Sequence, residues 1–296
     1  MNERYQYIIT GEDAKLPIKE LLKRRMLIST RLIRRLKMEN GVHLNGKAVK
    51  LFEKGKEGAK ITINLPTEAS DFIPEDIPID VIYEDVDLLA INKQPGIVVH
   101  PTKGHPNNTI ANGLMKYMMD KGESFKIRFI NRLDMNTSGV LLVGKNSHSQ
   151  DSFTRLASSG EVDKKYLAVV TGIVKDNEGT IDLPIGKPIE GDIKRAIIAD
   201  GSPSVTHYRV LERYDTGYTL LRIELETGRT HQIRVHFSHI GHPIVGDSLY
   251  GGEATDVIER QALHAEQLNF NHPITGKKLA LYAPMHSDML ELLSSM

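Results

Sequence analysis

From residue 79 to the C-terminus the chain is written in short apolar or alternating runs, set at hairpin-like spacing and more numerous than its helical patterns. Residues 79–83 and 88–92 read as paired strands around an acidic turn. Residues 127–130 and 140–143 read as apolar strands flanking a polar loop. Residues 166–170, 204–211 and 218–226 are further strands. Helical signals are sparser. Asn108 or Thr109 caps a helix that runs to about Met119. Thr230 is expected to cap another, with Ile233, Phe237 and Ile240 at i, i+4 and i+7 and Gly241 ending it. This excess of strands predicts an α+β fold, with a large, mainly antiparallel mixed sheet and flanking helices.

The first part of the chain differs in charge. Residues 15–60 carry fourteen Lys and Arg against four Asp and Glu, a surplus of ten. The formal net charge of the whole chain is zero, so the rest carries the matching deficit. A compact basic segment on an otherwise acidic protein points to a polyanionic partner, with nucleic acid first among them; the alternative is a solvated lysine-rich face. Pro17 opens a short helix. Ser29 and Thr30 are N-cap candidates for a second, which Gly41 ends. On that helix Leu32, Ile33 and Leu36 share an apolar face. Arg31, Arg34 and Arg35, at i, i+3 and i+4, form a neighbouring basic stripe. Asn45-Gly46 is a hairpin turn, and Ile61, Ile63 and Leu65 alternate as a closing strand. Residues 66–78 are rich in proline and acidic side chains and lack apolar periodicity. The expected organisation is a small α+β unit over 1–66, a linker over 67–78 and a larger domain over 79–296.

No cysteine is present, which excludes disulfides, thiolate zinc sites and cysteine nucleophiles. No apolar run is long enough to span a bilayer, and no signal pattern opens the chain. The expectation is a cytoplasmic protein with no membrane partner. Residues 131–139 form the polar loop between two apolar strands. Asp134 lies there two residues after Arg132, with Thr137, Ser138 and Gly139 supplying turn chemistry. By residue type alone this is a capped turn with a local ion pair. His231, His236, His239 and His242 raise a zinc reading, with Asp247 as the nearest carboxylate. His231 and His236 are five apart and would splay on a helix, so capping and RNA contact suit them better and no metal is expected.

The full string changes the weight of that loop. Asn131-Arg132-Leu133-Asp134-Met135-Asn136-Thr137-Ser138-Gly139 resembles the signature of the RluA family of RNA pseudouridine synthases, with Asn131 where the family has histidine. Residues 91–101, around Asn92-Lys93-Gln94-Pro95-Gly96, resemble the family's first motif. Residues 165–172, Lys-Tyr-Leu-Ala-Val-Val-Thr-Gly, resemble its next. Residues 228–236, Gly-Arg-Thr-His-Gln-Ile-Arg-Val-His, resemble its last, followed by Gly241-His242-Pro243-Ile244 and Gly246-Asp247. Ser204 stands where the family often has alanine.

The resemblance implies an isomerase that turns uridine into pseudouridine in RNA, with no cofactor. The essential aspartate falls on Asp134 and the tyrosine lying against the uracil on Tyr166. Tyr166 would also accept a proton from carbon if its pKa were lowered. Arg234 is the candidate counter-ion of Asp134, with Arg229 the competing choice, and Arg132 would fill the gap left by an extruded nucleotide. The first unit resembles an alpha-L type RNA-binding domain, in which Arg31, Arg34, Arg35, Lys47 and Lys50 would meet phosphates. The expected partner is RNA, ribosomal before transfer RNA, acted on by a monomer. The rival reading is an RNA-binding or ribosome-assembly factor with an inactive catalytic fold.

Overall fold

A computed structural model of the chain describes residues 5–296; the first four residues of the expected 1–66 unit lie outside it. The small unit comprises β1 (Gln6–Ile8), α1 (Ile18–Arg24), α2 (Thr30–Met38), β2 (Val42–Leu44), β3 (Lys47–Ala48) and β4 (Lys60–Ile63). Its sheet runs β1-β4-β2-β3 and is antiparallel. Ile18, Leu21 and Leu22 of α1 and Leu32, Ile33 and Leu36 of α2 bury their apolar faces against Ile61 and Ile63. Ser29 caps α2, accepting from the Leu32 amide at 3.3 Å. The helix stops one residue earlier than Gly41 signals, because Asn40 takes the left-handed position with φ 51°. Asn45 and Gly46 both have positive φ, as a tight hairpin turn requires.

Residues 64–80 have no regular secondary structure, yet they do not swing free. Ser70 Oγ accepts from the Ile127 amide at 2.9 Å, Asn112 Nδ2 donates to Ile73 O, and Phe72 packs into the core of the large unit. The segment is a strap. Its anchoring uses single apolar side chains and side-chain-to-backbone bonds, which leave no periodic signature.

The large unit holds β5 (Val81–Glu84), β6 (Leu88–Lys93), α3 (Ile110–Lys121), β7 (Arg128–Phe129), β8 (Ser138–Gly144), α4 (Ser147–Ser158), β9 (Asp163–Thr171), β10 (Glu178–Asp182), β11 (Ile185–Gly186), β12 (Ala196–Ile197), β13 (Val205–Tyr214), β14 (Tyr218–Leu225), α5 (Gln232–His239), β15 (Leu263–Asn271), β16 (Lys278–Tyr282) and α6 (Ser287–Ser294). The main sheet runs β10-β13-β14-β9-β15-β8-β6-β5, with β16 beside β15 and β7 beside β8. Its pairings are antiparallel except one: β8 and β15 run parallel through Ser138–His264 and Gly139–Ala265. The α+β fold with a mainly antiparallel mixed sheet and flanking helices is therefore observed.

Both faces of the central strands are covered. Leu89, Ile91, Leu141 and Val143 face α3, while Leu88, Ala90, Val140 and Leu142 pack with Phe153 of α4 and with β15. That is why β6 and β8 read as continuous apolar runs rather than alternating ones. A third cluster joins β9 and β14 to α5 and α6 through Ala168, Leu221, Ile223, Phe237 and Met289. Among the described residues no helix is long and apolar enough to cross a membrane.

Thr230 does not cap α5. The N-cap is His231, in the left-handed conformation with φ 58°. No side chain caps the helix; Gln232, its first residue, instead ties the preceding turn, its Oε1 accepting from Thr227 Oγ1 at 2.8 Å and from the Arg229 amide at 2.9 Å. At the other end Gly241 is left-handed, as expected.

Candidate active site

Residues 131–139 leave β7 and enter β8 beside the one parallel contact of the sheet. The loop is held from several directions. Asn131 Nδ2 donates to Val140 O at 2.9 Å, and its Oδ1 accepts from the Leu142 amide at 2.7 Å. Asn131 therefore acts as an extra rung alongside β8, which a short amide does well. Lys93, fully buried, donates Nζ to Gln94 O, Met135 O and Thr137 O at 2.8–2.9 Å. Arg260 Nη1 donates to Asn136 O at 3.0 Å while its other nitrogens pair with Asp288. Gly139 has φ 111°, and a Cβ there would sit 2.2 Å from Ala265 O. Only glycine lets β8 approach β15 this closely.

The clamp leaves Asp134 facing a cleft, its side chain 28% exposed. Arg132, Tyr166, Leu225, Arg229 and Arg234 line the same cleft. Arg234 Nη1 donates to Asp134 Oδ2 at 2.9 Å. Its Nε and Nη2 grip both oxygens of Asp247 at 2.7 and 2.8 Å. Burial pushes the Arg234 guanidinium down, but Asp247 and then Asp134 outweigh it and hold it above its ordinary range. The Tyr250 ring lies 5.0 Å from the Arg234 guanidinium carbon. The open choice of counter-ion is thus resolved by geometry. Arg234 meets Asp134, whereas Arg229 is exposed and donates Nε to Pro203 O at 3.2 Å.

Tyr166 stands on β9, opposite Ile223 of β14. Burial, with the charge of Asp134 added, pushes its phenol up to about 12. A raised pKa keeps the proton on the ring oxygen at neutral pH. The surroundings therefore do not give the lowered value that a proton-accepting Tyr166 would need.

Sequence reading missed several contributors. His231 places Nε2 3.8 Å from Asp134 Oδ1 and shares its Nδ1 with the Tyr250 hydroxyl at 2.8 Å. Asp247 was visible as a possible metal partner and within the string after the last motif, but with no role toward Arg234. Lys93 had a signal, a lysine ending an apolar strand, whereas Arg260 and Tyr250 had none. Three of the four histidines in this region turn to different partners: His231 to Tyr250, His236 to Thr206 Oγ1 and Leu183 O, and His242 to Thr171 O. Among the described residues the one group of three side chains close enough to share an ion is Asp85, Asp87 and His272, outside this cleft.

The basic stripe of α2 is divided. Arg31 and Arg35 line a cleft between the two units. Arg34 and Lys50 line an apolar groove on the small unit, and Lys47 is exposed on β3. Arg35 is committed: its Nη1 lies 2.7 Å from Glu68 Oε1.

Residues 87–239 match the RNA pseudouridylate synthase family. A Bacillus subtilis protein carrying the name uncharacterised RNA pseudouridine synthase YlyB is 42% identical over 259 residues, covering 86% of this chain and 85% of its own. The Haemophilus influenzae ribosomal large subunit pseudouridine synthase D is 40% identical over 255 residues, covering 82% and 78%. Among solved structures, human RNA pseudouridylate synthase domain containing 1 is 30% identical with a TM-score of 0.58, over 70% of this chain and 84% of that one. Human RNA pseudouridylate synthase domain containing 4, at 22% identity and TM-score 0.60, shares the fold over 73% and 92%. With a loop aspartate, a stacking-competent tyrosine and a clamped guanidinium around one cleft, and with these relatives, the chain belongs to the RNA pseudouridine synthase family of isomerases.

Proposed function

We propose that this enzyme isomerises uridine in large-subunit ribosomal RNA, with Asp134 as its catalytic group. The observation that carries the assignment is the Asp134–Arg234–Asp247 chain. One guanidinium, fixed by a buried carboxylate, aims the second carboxylate into a cleft faced by Tyr166. The reaction breaks the bond between ribose and the base nitrogen, turns the base, and rejoins it through carbon. Every atom of the nucleotide is retained, so no redox partner is consumed. A positioned carboxylate suits both capture and stabilisation of the separated halves. Tyr166, protonated, serves as the face against which uracil turns. Arg132, exposed at the rim, is placed to occupy the gap left when the nucleotide is extruded.

The ribosomal substrate is supported by relatives named for the large subunit. Transfer RNA is the alternative, and pseudouridine mapping of total RNA with and without the gene separates the two. Asp134→Asn is expected to lower pseudouridine formation by at least roughly a thousandfold, while RNA binding stays within about threefold. Turnover surviving in that variant removes Asp134 from the chemistry. If the gene deletion leaves every pseudouridine in place, the binding-factor reading takes over.

A further inference from the structure

A second cleft lies between the small and large units, and the isomerisation has no use for it. Arg31 and Arg35 of α2 form one wall; Lys126 and Arg128, at the start of β7, form another; Asp151 of α4 lies at its side. Glu68 reaches into this cleft from the strap. Its Oε1 pairs with Arg35 and its Oε2 with Arg128. Burial pushes the Glu68 carboxyl up, but Arg128 and Arg35 outweigh that and hold it below its usual range. Arg128 is almost buried, at 9% exposure, while Arg31 and Lys126 are exposed at the rim.

Two guanidiniums from different elements closing on one pair of oxygens is how proteins hold a phosphate. A clip between units needs a single ion pair. It gains nothing from two more cations at its edge, where exposed pairs are worth little. Four cations meet Glu68 and Asp151 here, and Glu39 takes a further bond from Arg35 at 3.3 Å, so the cleft keeps a surplus of one positive charge with Glu68 in place. The position suits RNA. Arg128 precedes Arg132 by four residues, so it lies at most roughly 14 Å from the rim of the Asp134 cleft.

We propose that this cleft is a binding site for a phosphate of the RNA backbone, and that the Glu68 carboxylate occupies it until RNA displaces it. The exchange is anion for anion. Arg35 and Arg128 keep a partner throughout, and Glu68 is released to water. The site rests on the RNA substrate argued above, and its test is an equilibrium measurement that does not depend on turnover.

The probe is a short fluorescein-labelled oligouridylate, titrated at several salt concentrations. Glu68→Gln removes the competitor. Its affinity is expected to rise three- to tenfold at about 0.1 M salt, with the log–log salt slope unchanged, because the same phosphate is held in both proteins. Arg35→Ala is expected to weaken binding, and in that background Glu68→Gln should gain little. An equal gain in both backgrounds marks a general charge effect and overturns the proposal, as does no gain or a loss. Should Glu68→Gln not fold, Arg31→Ala reads the same site, because Arg31 is exposed. A salt slope unchanged from wild type in that variant is likewise fatal. Wild-type pseudouridine formation on total RNA, assayed alongside, reports on the isomerase assignment separately.

Discussion

Asp247 is 1% exposed, Asp134 keeps 28% of its side chain open, and Arg234 joins them. The buried end of this chain is structural and the open end chemical. Removing the buried carboxylate leaves a guanidinium in the interior with its main partner gone. Asp247→Ala is therefore expected to cost about 3–5 kcal/mol of stability. It should also lower kcat more than it raises KM, since Arg234 then no longer holds Asp134 in place. Denaturant unfolding and steady-state kinetics check both, and a stability loss under about 1 kcal/mol would refute the assignment. Asp247→Asn retains the shape and two acceptor lone pairs, so its loss should be smaller. At this scale the sequence was legible where a motif string carried the residue. Asp134, Tyr166 and Arg234 were legible in that way, and all three line the cleft. The role of Asp247 was not, because a carboxylate beside a glycine gives no hint of a guanidinium thirteen residues earlier. Nor could the sequence report the electrostatics of Tyr166. Its upward shift comes from tertiary burial and from a charge brought in by another loop.

Among elements, β8 and β15 come into close backbone contact beside the catalytic loop. The contact spans two residue pairs, and Gly139 lies against the Ala265 backbone. Gly139→Ala combines a left-handed φ with a backbone overlap. A flexible side chain could move aside, but the Ala265 carbonyl cannot. The expected outcome is a loss of at least about 3 kcal/mol, with activity lost even in the folded fraction. Thermal unfolding beside single-turnover assays measures it, and a variant as stable as wild type would show that β15 can retreat. The strand-rich pattern announced the sheet, and caps such as Ser29 and Thr109 announced helices. β15 and α4 stayed hidden for a physical reason. β15 buries His264 and Glu266 among its apolar residues, so its polarity does not alternate. The helix α4 opens on Ser147, His148 and Ser149 and buries two of those three, so it looks like a loop. The start of α5 was misplaced because the chain enters the helix through a left-handed His231, in a turn tied by Gln232 and without a side-chain cap.

For the whole molecule, two buried histidines contribute to acid sensitivity. Burial, the largest cause in each case, pushes His148 and His264 down to about 4. His264 donates Nε2–H to Ala283 O, and its Nδ1 accepts from Ser138 Oγ, both at 2.9 Å. In the unfolded chain both titrate near 6.5. Their folded pKa values are depressed, so the stability they contribute is complete above about pH 6.5 and is lost as pH falls towards 4. Each adds up to about 1.4 kcal/mol per pH unit to the slope inside that window. Unfolding free energies measured from pH 7 to 4 should fall accordingly, and His264→Gln should flatten the decline. A profile level across that range contradicts the assignment. The same β8–β15 junction bears on how the enzyme is made. β8 ends at residue 144 and β15 begins at residue 263, so the strands that frame the cleft are separated by more than a hundred residues of chain. Contacts of such long sequence separation form late, after loop-closure entropy has been met. The small unit closes its own sheet and core within the first third of the chain, while the catalytic loop waits for nearly the whole protein. A nascent chain still lacking β15 therefore has no formed site in which to modify RNA.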